Sequence, residues 1–149
     1  LQLYRLFHKF LDFLFSCPPY GNLERYSDDP RDLSTLGWPE FCARYTQIVH
    51  AASALVAQNR FACFVVSNFR DKNGGGYYDL VGLTVSAFQF AGWCYYNEAV
   101  LVNSIGSLPV RTGRQFTVSR KLGRTHQSIL VFARGDVRIA AAACEKEDE

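Results

Sequence analysis

The chain lacks several features that would assign it to a common class of protein. Its five cysteines form no Cys-x-x-Cys pair, which argues against a structural zinc site, and their odd number does not fit a disulfide framework. No run of 18 apolar residues occurs, and charges interrupt the apolar opening segment 1–15, which has no small-residue cleavage site. We therefore expect a cytoplasmic chain with free thiols and no membrane partner.

Methionine is also absent, even at position 1, which predicts that the sequence is a piece of a longer chain. The composition that is present is ordinary for a globular protein: 48% of the 149 residues are apolar and 20% are charged, which excludes whole-chain disorder and coiled coil. Aromatic residues reach 15%, enough for a large core. The length predicts one domain, and the net charge of +2 implies no partner by itself.

Apolar runs and helical periodicities alternate along the chain. The expected strands are residues 13–16, 61–66, 93–102 and 129–133, the expected helices are residues 38–58, 79–91 and 136–144, and residues 103–126 are expected to form a long loop. Strands that alternate with helices predict an α/β fold with a mostly parallel sheet and helices on both faces. The last two strands, with no helix expected between them, are predicted to form an antiparallel edge pair.

A rigid turn follows the first expected strand, at a position where α/β sheets bind ligands. Its residues are Ser16, Cys17, Pro18, Pro19 and Tyr20. The two prolines fix φ and lack backbone N–H groups, so neighbouring carbonyls are left as acceptors beside a flat aromatic ring. This arrangement suits a planar base that carries an amino group. The alternative is a proline-rich turn whose tyrosine packs in the core.

The second feature is the charge of residues 103–126. This segment contains no acidic residue, whereas the rest of the chain has eleven basic and fourteen acidic residues. Its basic residues are Arg111, Arg114, Arg120, Lys121 and Arg124. Such clusters contact the phosphates of nucleic acids, and arginine can also bind guanine edges. The alternative is a solvated polar loop.

The turn resembles motif IV of the amino-group DNA methyltransferases, which modify adenine N6 or cytosine N4. In that family Asp, Asn or Ser precedes Pro-Pro and an aromatic residue. Further segments resemble phage and bacterial DNA methylase-like proteins in the same order, so the resemblance covers about residues 13–135. These segments are residues 26–34, 69–72, 113–116, 119–122 and 126–132.

The resemblance implies a partial Rossmann-like methyltransferase fold, S-adenosylmethionine as the cofactor, and double-stranded DNA with a flipped target base as the partner. It implies that the target amino group bonds acceptors at Cys17 and Pro18 and that Tyr20 stacks on the base. No covalent bond to the base is expected. The amine nitrogen attacks the sulfonium methyl directly, so positioning and electrostatics supply most of the effect.

Two departures from the family pattern matter. Cys17 stands where the family has Asp, Asn or Ser, and a thiol is a weak acceptor, so a backbone carbonyl or Ser16 takes that role, or catalysis is feeble. The glycine-rich cofactor loop that precedes the motif in the family is absent from the sixteen residues before Cys17, none of which is glycine. We therefore expect residues 1–149 to be the C-terminal half of a methyltransferase catalytic domain, and we assign no residue to the cofactor.

Other polar residues have simpler interpretations. Asp28, Asp29 and Asp32 are expected to cap a loop or pair with Arg31 rather than bind a metal. Residues 68–71 either touch the cofactor or base, or form a plain turn. Two other functions stay open: a nucleic-acid-binding remnant without catalysis, and a methyltransferase that acts on a protein glutamine amide and shares a similar turn.

Overall fold

The computed structural model describes residues 11–73, 75–106 and 108–144; the start of the apolar opening segment, residues 1–10, lies outside them. The fold is α/β, with a mixed four-stranded sheet, a two-stranded sheet and four α-helices among the described residues. The strands are β1 (Leu11–Ser16), β2 (Val56–Val66), β3 (Phe69–Arg70), β4 (Tyr77–Tyr78), β5 (Cys94–Val102) and β6 (His126–Arg134). The helices are α1 (Trp38–Ala54), α2 (Leu80–Phe90), α3 (Leu108–Ser119) and α4 (Val137–Ala142), and a short 3-10 turn spans Leu33–Thr35.

Helix α1 forms where the sequence predicts it. Pro39 lies in its first turn, and Phe41, Tyr45 and Val49 are buried along one face, as the apolar spacing requires. The helix ends at Ala54, earlier than expected, because strand β2 begins two residues later. It connects β1 to β2, which are parallel neighbours.

The main sheet has the order β1-β2-β6-β5, and the prediction that it is mostly parallel is wrong. Strands β1 and β2 are parallel, whereas β6 is antiparallel to both β2 and β5. Strands β1, β2 and β5 therefore run in the same direction, as helix-separated strands should, but β6 lies between β2 and β5 and makes both contacts antiparallel. The expected antiparallel pair at one edge, β5 with β6, is confirmed.

The prediction that residues 103–126 form a loop is also wrong, because helix α3 occupies half of this segment. None of the described α3 residues is buried. Leu108 and Thr112 are half-buried, and Phe116 lies on the same side of the helix, so α3 has only a narrow apolar stripe. Thr112 Oγ1 donates a hydrogen bond of 2.8 Å to the Leu108 carbonyl.

The core lies between one face of the main sheet and helices α1 and α2. It contains Phe64 of β2, Phe88 of α2 and Phe132 of β6, and the last two rings stack with centroids 4.0 Å apart. On the other face α4 packs against β2 and β6, while Phe13 and Phe15 of β1 remain more than half exposed. None of the described helices is long and apolar enough to cross a membrane.

Candidate functional site

The segments that contain the predicted site residues lie at one edge of the main sheet. Strand β1 ends there at Ser16 beside β2. Val66 at the end of β2 pairs with Ser128 near the start of β6, and Val102 at the end of β5 pairs with His126. The three segments that follow β1, β2 and β5 therefore leave from the same edge, as ligand-binding loops of α/β sheets do.

Close contact with the core holds the turn after β1. The half-buried Tyr20 ring lies nearly parallel to Phe69, at an angle of 14° with the centroids 6.4 Å apart. Gly21 has a φ of +53°, and a Cβ at this position would lie 2.8 Å from the Phe69 ring. Both the backbone conformation and the available space therefore require glycine, and this fixes Tyr20 at the sheet edge.

A cavity of about 210 Å³ opens beside this turn. Its lining residues are Cys17, Pro18, Tyr20, Leu23, Glu24, Tyr26 and Gln127. Gln127 Nε2 donates a hydrogen bond of 2.5 Å to Tyr20 Oη, which joins the turn to β6 across 107 residues of sequence. The cavity is small and is lined by polar as well as apolar side chains.

The structure brings three of the five predicted turn residues to the cavity: Cys17, Pro18 and Tyr20. Ser16 is the last residue of β1, and Pro19 is half-buried; neither lines the cavity. The Cys17 side chain is exposed, and all five cysteines of the chain are free thiols.

The Tyr20 hydroxyl is held in its neutral form. Burial raises the pKa of Tyr20 above its ordinary value of 10, and the neighbouring Cys17 acts in the same direction. The hydrogen bond from Gln127 and the positive charge of Arg124 act in the opposite direction. Tyr20 can therefore bond and stack at neutral pH but is no proton acceptor there. The influence of Arg124 also places one end of the basic segment within electrostatic reach of the cavity.

The five predicted DNA-binding cations fall into two groups. Arg111 and Arg114 lie on α3 with exposed side chains, and no ion pair among the described residues involves them. They do not line the cavity beside the turn. Their charges are therefore available to a partner at the same sheet edge.

The other three cations follow α3 and have local surroundings. The Arg120 guanidinium lies 5.3 Å from the centre of the Phe116 ring. Lys121 is half-buried, and Arg124 Nε donates a hydrogen bond of 3.1 Å to the His126 carbonyl. These contacts fix where the charges stand without neutralising them.

The acidic residues after β1 stabilise their own loop, as predicted. Asp29 forms an ion pair of 2.7 Å with Arg31, and Asp28 forms one of 2.8 Å with Arg25. The Arg31 hydrogen bonds lower the pKa of Asp29, and Asp32 caps the 3-10 turn. Within residues 11–73, 75–106 and 108–144, no group of His, Cys, Asp and Glu could hold a metal ion.

The polar residues after β2 also serve the local fold. Asn68 Oδ1 accepts a hydrogen bond of 2.8 Å from the Val81 N–H and so caps α2. Arg70 lies 4.3 Å over the Tyr77 ring and donates a hydrogen bond of 3.1 Å to the Gly75 carbonyl. These contacts favour the plain-turn interpretation over contact with a cofactor or base.

Sequence reasoning missed four residues of the cavity: Leu23, Glu24, Tyr26 and Gln127. Tyr26 Oη donates a hydrogen bond of 3.0 Å to Glu24 Oε2, so the two form one polar unit of the wall. Gln127 reaches Tyr20 only because β6 inserts beside β2. The register of two strands that are far apart in sequence leaves no local sequence signal of this contact. The types of the missed residues are also not unusual at their positions.

The resemblance implies a glycine-rich turn for S-adenosylmethionine. Strand β1 leads into Cys17 and two prolines, and β2 leads into Ser67 and Asn68, so no glycine-rich turn follows either parallel strand among the described residues. The cavity of about 210 Å³ is smaller than the roughly 300–1,000 Å³ common for small-molecule sites.

Compared with protein-family models and with curated proteins, the chain matches none of them. The resemblance to the amino-group DNA methyltransferases therefore stays a prediction, carried by the turn around Pro18 and Pro19 and by the segments that follow it.

Proposed function

We propose that this chain takes part in the S-adenosylmethionine-dependent methylation of an exocyclic amino group, adenine N6 or cytosine N4, in DNA. It would do so as one half of a Rossmann-like catalytic domain. The observation that carries the proposal is the place of the Pro-Pro-Tyr turn. The turn leaves the carboxyl end of β1 within the parallel β1-α1-β2 unit, and it borders a cavity at the edge from which the basic segment also leaves.

The cavity supplies the contacts that a flipped base needs. In this proposal the ring of Tyr20 stacks on the base, while carbonyl groups of Cys17 and Pro18 accept hydrogen bonds from its amino group. Gln127 and Phe69 hold the Tyr20 ring in place from two directions. Catalysis then comes from holding the amine nitrogen in one orientation, with no covalent bond between the chain and the base.

Duplex DNA is the partner that the charge distribution supports. Five cations without an acidic neighbour stand on residues 103–126, and Arg124 acts on Tyr20 electrostatically. Phosphates of a duplex bound along this segment would lie next to the cavity. S-adenosylmethionine supplies the methyl group in the family that the sequence resembles, and we derive no transfer step from the described residues.

The lack of a glycine-rich turn after β1 and β2 favours a second candidate, a nucleic-acid-binding protein without catalysis. The basic segment and the cavity would then hold DNA and an unpaired base, and nothing would be transferred. Both candidates use the same contacts to DNA. They differ in whether a methylated base is formed.

The test is a methylation assay with the protein, bacterial DNA and S-adenosylmethionine carrying a deuterated methyl group. The DNA is digested to nucleosides, and mass spectrometry identifies the modified base. We expect deuterated N6-methyladenine or N4-methylcytosine. Duplex binding without any modified base would favour the second candidate, and a label found only in protein glutamine would favour the protein-directed enzyme.

Two variants connect that activity to the cavity. Base–aromatic stacking contributes about 1–3 kcal/mol, so Tyr20→Ala should slow methylation roughly ten- to a hundredfold. Cys17→Ser should retain or raise the rate, because the backbone carbonyl stays in place and a hydroxyl is a better hydrogen-bond acceptor than a thiol. Tyr20→Ala with the parent rate would mean that Tyr20 only packs against the core.

A further inference from the structure

Helix α3 lacks the support that helices usually have. None of its described residues is buried, and Val110 and Val118 are 81% and 80% exposed. A 12-residue helix is marginal in water by itself, and Gly113 in its interior lowers its helix propensity further. A helix with these properties is expected to gain its stability from a partner.

The outer face of α3 mixes arginine and valine in one surface. Val110, Arg114 and Val118 follow each other at intervals of four residues and so form one row along the helix. Arg111 begins the neighbouring row. Gln115 and Ser119 continue that second row, and all six side chains of the two rows are exposed.

We propose that α3 is a recognition helix that enters the major groove of duplex DNA and reads its sequence. Arg111 and Arg114 would each bind a guanine edge with two hydrogen bonds, and Val110 and Val118 would contact thymine methyl groups. The major groove of B-DNA admits an α-helix, and α3 is about 18 Å long. This inference rests on the proposed function and adds how the DNA sequence is read.

The pattern of side chains favours DNA over a membrane surface. A helix that lies on a lipid surface separates an apolar face from a charged one. In α3 the Arg114 side chain stands between Val110 and Val118 on the same face, so charge and apolar surface alternate at one turn's spacing. Base edges in the major groove present both hydrogen-bonding atoms and thymine methyl groups, so a mixed helix face can contact both.

The remaining cations have a different role. Arg120, Lys121 and Arg124 follow the helix and have local contacts that hold them near the sheet edge. Held beside the groove-binding helix, they would contact phosphates, which fixes the register of the protein without reading the sequence. The basic segment thus divides into α3, which would contact the bases, and the residues after it, which would contact the phosphates.

The test begins with a random pool of DNA duplexes, from which the 149-residue chain selects those that it binds best. The affinity for the selected duplexes is then measured over a salt series. Arg114→Lys keeps the charge but loses the two-point contact, so preference for guanine at one position should fall roughly ten- to a hundredfold. Arg111→Lys should do the same at a neighbouring position. Neither change should alter the slope of log affinity against log salt.

Arg120 provides the matched control. Arg120→Lys should leave the sequence preference unchanged, and Arg120→Ala should weaken binding to all duplexes alike and lower the salt slope by about 0.9. Circular dichroism of each variant should match the parent, because all three arginine side chains are exposed.

Three outcomes would overturn the inference. Duplex binding without any base preference, or with a preference that both lysine variants retain, would mean that α3 contacts only phosphates; the proposed function would still stand. Binding to vesicles of equal parts phosphatidylserine and phosphatidylcholine, with no duplex binding, would make α3 a membrane-surface helix. A chain that binds neither would contradict the proposed contact with DNA as well.

Discussion

Replacement of Gly21 by alanine tests whether the turn after β1 is fixed by its contact with the core. Gly21 has a φ of +53°, a left-handed conformation that costs a residue with a Cβ roughly 1–2 kcal/mol. The new Cβ would also lie 2.8 Å from the Phe69 ring. Phe69 is 5% exposed and contacts the edges of Trp38 and Tyr78, so it has little room to move.

The two costs together set the expected size of the effect. Overpacking in a dense core costs about 1–3 kcal/mol, so Gly21→Ala should lower the free energy of unfolding by roughly 2–5 kcal/mol. Gly76 is a matched control, since its φ is not left-handed and nothing lies within 4 Å of a Cβ placed there. Gly76→Ala should change stability by less than about 1 kcal/mol.

Urea unfolding followed by tryptophan fluorescence measures both variants. One of the two tryptophans, Trp38, lies 5.6 Å from the Phe69 ring between centroids and so reports on the site directly. If Gly21→Ala unfolds at the same urea concentration as Gly76→Ala, Phe69 does not constrain the turn, and the fixed position of Tyr20 loses its physical basis.

Gln127→Ala removes the hydrogen bond that lowers the pKa of Tyr20, so the pKa of Tyr20 should rise further. The hydroxyl of Tyr45 is hydrogen-bonded to Thr84 instead, so the pKa of Tyr45 should not change. Nuclear magnetic resonance of labelled tyrosine rings over a pH series measures both. Because the folded pKa is the higher one, the protonated Tyr20 contributes stability that is present below about pH 10 and is lost as the pH rises through the folded value. Phe13 and Phe15 are 53% and 58% exposed on an edge strand, so the chain should associate with itself as concentration rises, and replacing both by threonine should reduce this in sedimentation experiments. Calorimetric titration should show weak or no binding of S-adenosylmethionine to these 149 residues, because the glycine-rich cofactor loop is missing from them, and micromolar affinity would contradict this expectation.

The sequence predicts the helices and strands better than it predicts which strands lie next to each other in the sheet. Helical spacing and apolar runs mark β2, α1 and α2, because each of these elements buries one face. An apolar run alone marks β1, whose residues are exposed or half-buried. Neighbouring strands depend instead on long-range pairing. The insertion of β6 between β2 and β5 reverses two contacts without changing any local pattern. Helix α3 escapes prediction for the opposite reason, since it buries no face at all.

The candidate site divides in the same way. The turn from Cys17 to Tyr20 can be predicted, because two prolines next to an aromatic residue restrict the backbone locally. Gln127 cannot, because its hydrogen bond to Tyr20 depends on a strand register set far away in sequence. The cation cluster can be predicted from the sequence, because the basic residues of the segment can be counted. That Arg111 and Arg114 share one face follows only from the structure, in which both lie on α3.

The central claim is that the cavity between the turn and β6 holds a base through its amino group. The most direct measurement is nuclear magnetic resonance of the labelled chain during titration with single nucleotides. Adenine and cytosine carry an exocyclic amino group and thymine does not, whereas all three nucleotide monophosphates share the same phosphate. We expect the amide signals of Cys17, Tyr20 and Gln127 to shift with deoxyadenosine or deoxycytidine monophosphate and to stay in place with thymidine monophosphate. Equal shifts with all three nucleotides, or shifts confined to the basic segment, would contradict the claim.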